Sequence, residues 1–107
     1  MPVILQMYFD KEGPYGDEMV PLGRDRAISI NDEPGFIWKI WTEDANEGYG
    51  GGIYLFDTRE NAEKYNKMHT ERLKKVGYSN FVYKILDVNL GLTKINKGPL
   101  SAVKEEN

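Results

Sequence analysis

The sequence contains no cysteine and a single histidine, His69. A chain without cysteine forms no disulfide, thiolate metal site or iron–sulfur cluster, and it has no cysteine nucleophile. One histidine is also too few for a structural zinc site of the Cys/His type, or for a two-histidine iron site within one chain. We therefore expect a protein without a metal or other cofactor.

Excess positive charge and long hydrophobic runs are missing as well. The chain has 17 acidic and 14 basic side chains, and its net charge of −3 argues against a surface for nucleic-acid phosphates. The longest apolar stretch near the N-terminus is Val3–Leu5, which is too short for a signal peptide or a membrane span. These absences favour a cytoplasmic protein that binds neither nucleic acid nor a membrane.

The composition is typical of one soluble globular domain. Hydrophobic residues make up 40% of the 107 residues and charged residues 29%, a balance that supports one hydrophobic core and argues against disorder. We expect a single domain over residues 1–107, in which residues 90–107 form a C-terminal arm.

Four segments rich in β-branched and aromatic residues are typical of strands. The first is Val3–Phe9. The second and third, Phe36–Glu43 and Gly51–Phe56, are separated by a polar turn and are expected to form a hairpin. The fourth is Phe81–Asn89. The last three strands carry apolar side chains on both faces, which predicts that both faces are covered.

Two helices are predicted between these strands. The first spans Asp17–Asp32 and is weakened by Gly23 near its middle. The second follows Asp57, which is expected to form a capping box with Glu60, and it ends at Gly77. Its apolar stripe has spacings of three and four residues and consists of Ala62, Tyr65, His69, Arg72, Leu73 and Val76.

The order of these elements predicts an α+β protein with the ferredoxin-like β-α-β-β-α-β antiparallel sheet. In this fold both helices cover one face of the sheet and leave the other face bare. The strands would then expose a large apolar patch on the bare face, and monomers rarely expose such a patch. We therefore expect a homodimer in which two sheets pack face to face, that is, a dimeric α+β barrel.

Six segments of the chain carry a resemblance to a known family. The most specific is Asn31–Glu43, which contains both tryptophans. The others follow in the same order as in the family and are Gly13–Asp17, Gly51–Phe56, His69–Leu73, Asp87–Asn89 and Ile95–Asn96. With these segments the sequence resembles the YdhR-like monooxygenase family of the dimeric α+β barrel superfamily.

The resemblance implies a homodimer and a cofactor-independent monooxygenase that oxidises small aromatic compounds of the phenol or quinol class with dioxygen. In such a reaction an electron-rich phenol, once deprotonated, itself reduces dioxygen. The protein binds the ring, favours the phenolate and keeps water away from the intermediate. This task requires an aromatic-lined cavity, a base or cationic anchor, and hydrogen-bond donors.

His69 is the predicted base, because its place on the apolar stripe turns the imidazole towards the sheet and imidazole titrates near neutral pH. Arg72 follows one helical turn later and is expected to pair with the resulting anion. The alternative interpretation is structural. His69 is then a hydrogen-bonded core residue, and Arg72 is a surface partner of an acid such as Glu43 or Glu71.

Trp38 and Trp41 are expected on opposite faces of their strand, because side chains alternate along a strand. Trp38, on the face of Phe36 and Ile40, is predicted to line the substrate pocket, and Trp41 to face the dimer partner. Alternatively, both tryptophans are core or interface residues. The candidate hydrogen-bond donors to a substrate oxygen are Tyr54, Tyr65, Tyr83, Asn31 and Asn66.

Three functions remain open at the level of sequence. The first is the monooxygenase just described. The second is another chemistry on the same fold, such as a cyclase, an isomerase or a haem-degrading oxygenase. The third is a non-catalytic binding protein for a hydrophobic aromatic ligand, which oxygen uptake with candidate quinols would distinguish from the first.

Overall fold

A four-stranded antiparallel sheet with strand order β2-β3-β1-β4 carries two long helices on one face. The computed structural model describes residues 1–103, so the last four residues of the predicted C-terminal arm lie outside the described part. The predicted α+β, ferredoxin-like fold is confirmed. Its elements are β1 (Val3–Asp10), a 3-10 turn (Gly16–Glu18), α1 (Met19–Ile30), β2 (Phe36–Asp44), β3 (Tyr49–Phe56), α2 (Arg59–Lys75), β4 (Ser79–Asp87) and α3 (Leu90–Ile95).

The core lies between the sheet and the two long helices. Strand β1 is an inner strand, and its alternate residues are buried while the residues between them are largely exposed. This alternation arises because the helices cover only one face of the sheet. The helix-facing core is formed by Val3, Leu5, Met7, Phe9, Ile30, Tyr54, Phe56, Ala62, Tyr65 and Leu73.

Helix α2 has well-formed ends. The Thr58 hydroxyl accepts a hydrogen bond of 3.2 Å from the Asn61 backbone N–H, so Thr58 is the N-cap residue. The prediction that Asp57 caps the helix is therefore wrong by one residue; the Asp57 carboxylate instead accepts from the Asn61 side-chain amide at 2.9 Å. The predicted end at Gly77 is confirmed, and its φ of 103° suits glycine at this position.

Helix α1 is shorter than predicted and packs loosely on the sheet. It buries only two of its residues, Gly23 and Ile30. Gly23 lies against the indole of Trp41, since a Cβ at Gly23 would be 3.4 Å from two atoms of that ring. Glycine in mid-helix thus lets α1 approach β2 at one point, and the scarcity of other buried side chains leaves a groove beside that point.

A β-bulge interrupts the alternation of β2. Phe36 pairs with Phe56 of β3, but Trp38 pairs with the next residue, Leu55, so β2 has one residue more than its partner. Phe36 and Trp38 therefore point to opposite faces of the sheet. Phe36 packs on the helix-facing core, with its ring centroid 6.0 Å from that of Phe56.

The bulge reverses the predicted orientation of the two tryptophans. Residues paired across an antiparallel sheet share a face, so Trp41, opposite Gly52, faces the helices. Trp38 faces the other side, where its indole N–H donates to the Pro99 carbonyl at 2.8 Å. The prediction that Trp38 points to the helix side and Trp41 to the outer side is wrong, because a strand with an inserted residue no longer alternates strictly.

The C-terminal arm crosses the outer face of the sheet. Strand β4 lies at one edge, and the bond between Pro99 and Trp38 places the arm at β2, the opposite edge. Leu100 is buried, and so is Leu55, which points to the outer face. Within residues 1–103, no helix has the length and apolar character needed to cross a membrane.

Candidate active site between the helices and the sheet

Two cavities lie on the helix side of the sheet. The larger is a groove of about 670 Å³ between α1 and β2, within the range of ligand pockets, about 300–1,000 Å³. The smaller has a volume of about 30 Å³, close to the share of a single water molecule in the liquid, about 30 Å³. It lies against both helices and the sheet. An aromatic ligand therefore fits the groove and not the small cavity.

Lys39 and Trp41 form the wall that the two cavities share. Both residues are in β2 and point towards the helices. Beyond them, the small cavity is lined by Arg26 from α1, Tyr54 from β3 and His69 from α2. A ligand in the groove thus meets the polar interior of the protein at Lys39.

His69 is buried, with 3% of its surface exposed. Its Nδ1 accepts a hydrogen bond of 2.8 Å from the Arg72 guanidinium, which is always a donor, so the ring proton lies on Nε2. Burial and, in decreasing order of size, the positive charges of Lys39, Arg72 and Arg26 together lower the pKa of His69 to about 2. The imidazole is therefore neutral at pH 7 and offers an Nε2–H donor. A base that takes the proton of a phenol requires a higher pKa, so this state suits His69 to donate a hydrogen bond and not to act as the predicted base.

Two tyrosines build an aromatic wall around the histidine. The ring of Tyr65 stacks on that of His69 with a centroid distance of 5.1 Å, and the ring of Tyr54 lies 5.1 Å from that of Tyr65. Burial raises the pKa of Tyr54 to about 12 and that of Tyr65 further. Both hydroxyl groups therefore keep their protons near neutral pH.

Lys39 is the functional candidate that the sequence analysis missed. Its Nζ lies 3.6 Å from the ring centroid of Trp41 and 4.6 Å from that of Tyr54. Burial lowers the pKa of Lys39 to about 7, with smaller effects of the Arg26 and Arg72 charges. The sequence feature that could have identified Lys39 is its place between two tryptophans, in a strand with apolar side chains on both faces.

Gly52 gives the lysine side chain its room. A Cβ at Gly52 would lie 2.7 Å from Lys39 Cε and 3.0 Å from a ring carbon of Tyr54. Any residue larger than glycine at this position of β3 would therefore displace the lysine or the tyrosine. Glycine at position 52 thus lets Lys39 and Tyr54 keep their observed positions.

The cations of the site have no ion-pair partner. Arg26, Lys39 and Arg72 take part in none of the ion pairs found within residues 1–103, and the Nε of Arg72 is buried without a hydrogen-bond partner. The proposed surface pairing of Arg72 with Glu43 or Glu71 is not formed. Glu43 accepts hydrogen bonds of 2.9 and 3.2 Å from the Gly16 N–H, and Glu71 pairs with Lys74.

The structure divides the predicted site residues into three groups. Tyr54 and His69 line the small cavity, with Tyr65 and Arg72 in contact with His69. Asn31 and Trp38 line the groove, although the indole N–H of Trp38 is bonded on the outer face.

The third group lies away from both cavities. Tyr83 is on the edge strand β4, has 56% of its surface exposed and lines neither cavity, so the structure does not bring it to the site. Asn66 lies buried on α2, and its side-chain oxygen has no hydrogen-bond partner.

Among residues 1–103, no three His, Asp or Glu side chains come together as metal ligands.

A comparison with known proteins identifies the family of the chain. The family model described as "Putative mono-oxygenase ydhR" matches residues 4–99. This range includes all of the sheet except Val3, both long helices and every residue of the two cavities. No curated protein matches the chain.

Proposed function

Because the chain belongs to the family described as "Putative mono-oxygenase ydhR", we propose that it is a cofactor-independent monooxygenase for small aromatic compounds of the phenol or quinol class. The observation that carries the proposal is a groove of about 670 Å³ whose inner wall leads to half-buried cations and hydrogen-bond donors. The groove takes up the ring, and the polar end takes up its hydroxyl group.

The apolar walls of the groove suit a flat aromatic ring. Met19, Gly23 and Ala27 of α1 face Phe36 and Trp41 of β2 across it. A ring between these side chains is removed from water, which favours binding by about 25 cal/mol per Å² of apolar surface buried. The same removal of water protects a radical or peroxide intermediate from side reactions.

The proposed reaction balances without an external reductant. The phenolate transfers an electron to dioxygen, the radical pair combines at the ring carbon opposite the hydroxyl group, and the hydroperoxide formed loses water to give a quinone. One oxygen atom of dioxygen enters the product and the other leaves as water. All four electrons, and the two hydrogen atoms of the water, come from the substrate.

His69 remains the proposed catalytic residue, with a role that follows from its neutral state, and Arg72 is the residue proposed to position it. The neutral imidazole donates its Nε2–H to the substrate oxygen, and the Arg72 guanidinium orients the imidazole through Nδ1. Tyr54 and Tyr65 supply further O–H donors beside it.

We also propose that the protein is a homodimer, formed through the outer face of the sheet. Three apolar side chains on that face are exposed in the single chain: Ile40 by 53%, Val82 by 43% and Leu86 by 44%. Burying them against a second copy would remove this patch from water.

Oxygen uptake tests the function. With electron-rich phenols as substrates, we expect one dioxygen consumed per quinone formed, and no loss of rate in the presence of a metal chelator. Ala27→Trp fills the groove and is expected to abolish the uptake, whereas Ala45→Trp, in the exposed turn after β2, controls for an added indole. Ligand binding without any oxygen uptake would favour a non-catalytic binding protein instead.

A further inference from the structure

We propose that Arg26, Lys39 and Arg72 form an anion-binding site at the inner end of the groove, and that Lys39 accepts the proton of the ligand's acidic hydroxyl group. The ligand is then bound as a phenolate beside an ammonium group. The inference rests on the proposed function for the choice of a phenol as ligand, but it concerns binding and not oxygen chemistry.

The first argument is the convergence of positive charge without negative partners. Arg26 of α1 and Lys39 of β2 both line the small cavity together with His69. Arg72 of α2 is bonded to His69 at 2.8 Å, so three separate elements bring cations to one place. None of the three forms an ion pair within the described part of the chain. Unpaired charges in a partly buried site are costly, and a bound anion offsets that cost.

The second argument is the position of Lys39 between the two cavities. It lines the groove, where a ring can bind, and the small cavity, where His69 offers its Nε2–H. The rings of Trp41 and Tyr54 flank the ammonium group without neutralising it. A hydroxyl group at the inner end of the groove is thus placed beside Lys39.

Of the charged and titratable groups that line the small cavity, Lys39 is the one suited to accept the proton of the ligand. Glu43 is bonded to the Gly16 N–H, and Lys11 donates to the Tyr78 hydroxyl at 3.1 Å. Tyr54 keeps its proton and His69 stays neutral. The pKa of about 7 means that a large share of Lys39 is neutral at pH 7 and able to accept a proton.

The proton step is balanced within the site. The O–H bond of the phenol breaks, an N–H bond forms on the Lys39 amine, and the products are a phenolate and an ammonium group. The guanidinium groups of Arg26 and Arg72 then stabilise the phenolate. The attraction between phenolate and ammonium raises the pKa of Lys39 in the complex, so the proton stays on the lysine.

A chromogenic phenol tests the inference without any oxygen chemistry. The probe is 4-nitrophenol, whose neutral and ionised forms absorb at different wavelengths, at a pH where the free probe is mostly neutral. We expect the absorption band of the phenolate to appear on binding. The ether 4-nitroanisole, which has no proton to lose, is expected to bind at least about tenfold more weakly.

Variants assign the effect to the lysine. Lys39→Met is expected to abolish the phenolate band and to weaken binding about tenfold or more. Lys67→Met, at an exposed lysine on α2 that lines neither cavity, is the matched control and should leave the band unchanged. Arg26→Gln serves as a second variant and should weaken binding of the phenolate form while the circular dichroism spectrum is retained.

Three results would overturn the inference. They are binding of the probe in its neutral form, equal binding of the probe and its ether, and an unchanged phenolate band in Lys39→Met. A chain that ionises the probe but consumes no oxygen would overturn the monooxygenase proposal and leave the anion site intact. A chain that consumes oxygen but binds the probe in its neutral form would do the reverse.

Discussion

Arg72 donates a hydrogen bond of 2.8 Å to Nδ1 of His69. The contact joins two residues one helical turn apart on α2, and it fixes the tautomer of the only histidine in the chain. A protonated imidazole has no lone pair to accept this bond, and it would lie among three further cations. Burial is the largest cause of the lowered pKa and keeps His69 neutral, and the arginine leaves the ring proton on Nε2 as a donor.

This neutral state predicts an acid-sensitive fold. The pKa of His69 falls from 6.5 in the unfolded chain to about 2 in the fold, so between these values the unfolded chain binds more protons. Stability is then retained above pH 6.5 and lost as the pH falls below it, by up to about 1.4 kcal/mol per pH unit. Urea unfolding of the parent and of His69→Gln across this window measures the effect. Equal slopes for the two proteins would contradict it.

The lowered pKa of Lys39 predicts that this lysine destabilises the fold near neutral pH. Its pKa falls from 10.5 to about 7, so the unfolded chain binds more protons between these values and stability is expected to rise with pH there. Lys39→Met removes the unpaired charge and should raise the free energy of unfolding at pH 7 by about 1–3 kcal/mol. It should also remove the rise in the free energy of unfolding that Lys39 causes between pH 7 and pH 10.5. Urea denaturation at two pH values tests this, and Lys67→Met, at an exposed lysine on α2, should behave like the parent protein.

Gly52→Ala tests whether the position of Lys39 matters. The added Cβ would meet Lys39 Cε at 2.7 Å and displace the ammonium group from the shared wall. We expect binding of 4-nitrophenol to weaken about tenfold, as for loss of one charge-assisted contact. Gly91→Ala is the control, because its Cβ would approach only the Asn89 side chain, at 3.8 Å, and it lines neither cavity. A parent-like affinity in Gly52→Ala would show that the lysine position is not critical.

The homodimer is tested on the outer face of the sheet. Val82→Lys puts a charge in the proposed interface, and sedimentation should detect a monomer at concentrations where the parent protein dimerises. Val76→Lys, at the exposed end of α2, adds the same charge away from the sheet and should leave the dimer intact. A parent protein that sediments as a 12.3 kDa monomer at micromolar concentration would contradict the proposed dimer.

Local patterns in the sequence were sufficient for the order of elements. The apolar stripe of α2 has a helical period, and the structure buries Tyr65, His69 and Leu73 on it. Gly77 ends the helix as predicted, because a positive φ is a local property that glycine tolerates. The N-cap was misplaced by one residue, since Asp57 and Thr58 both suit the position and only the backbone geometry chooses between them.

The orientation of the tryptophans and the state of the site depended on the tertiary structure. Strict alternation predicted the face of Trp38, but the bulge in β2 arises from pairing with β3, which no local pattern contains. In the same way, Lys39 is an ordinary strand lysine in the sequence. Its lowered pKa arises because β2 carries it into the interior, where α1 and α2 bring Arg26 and Arg72 close to it. Burial and charge act through space, so they are decided only when distant segments meet.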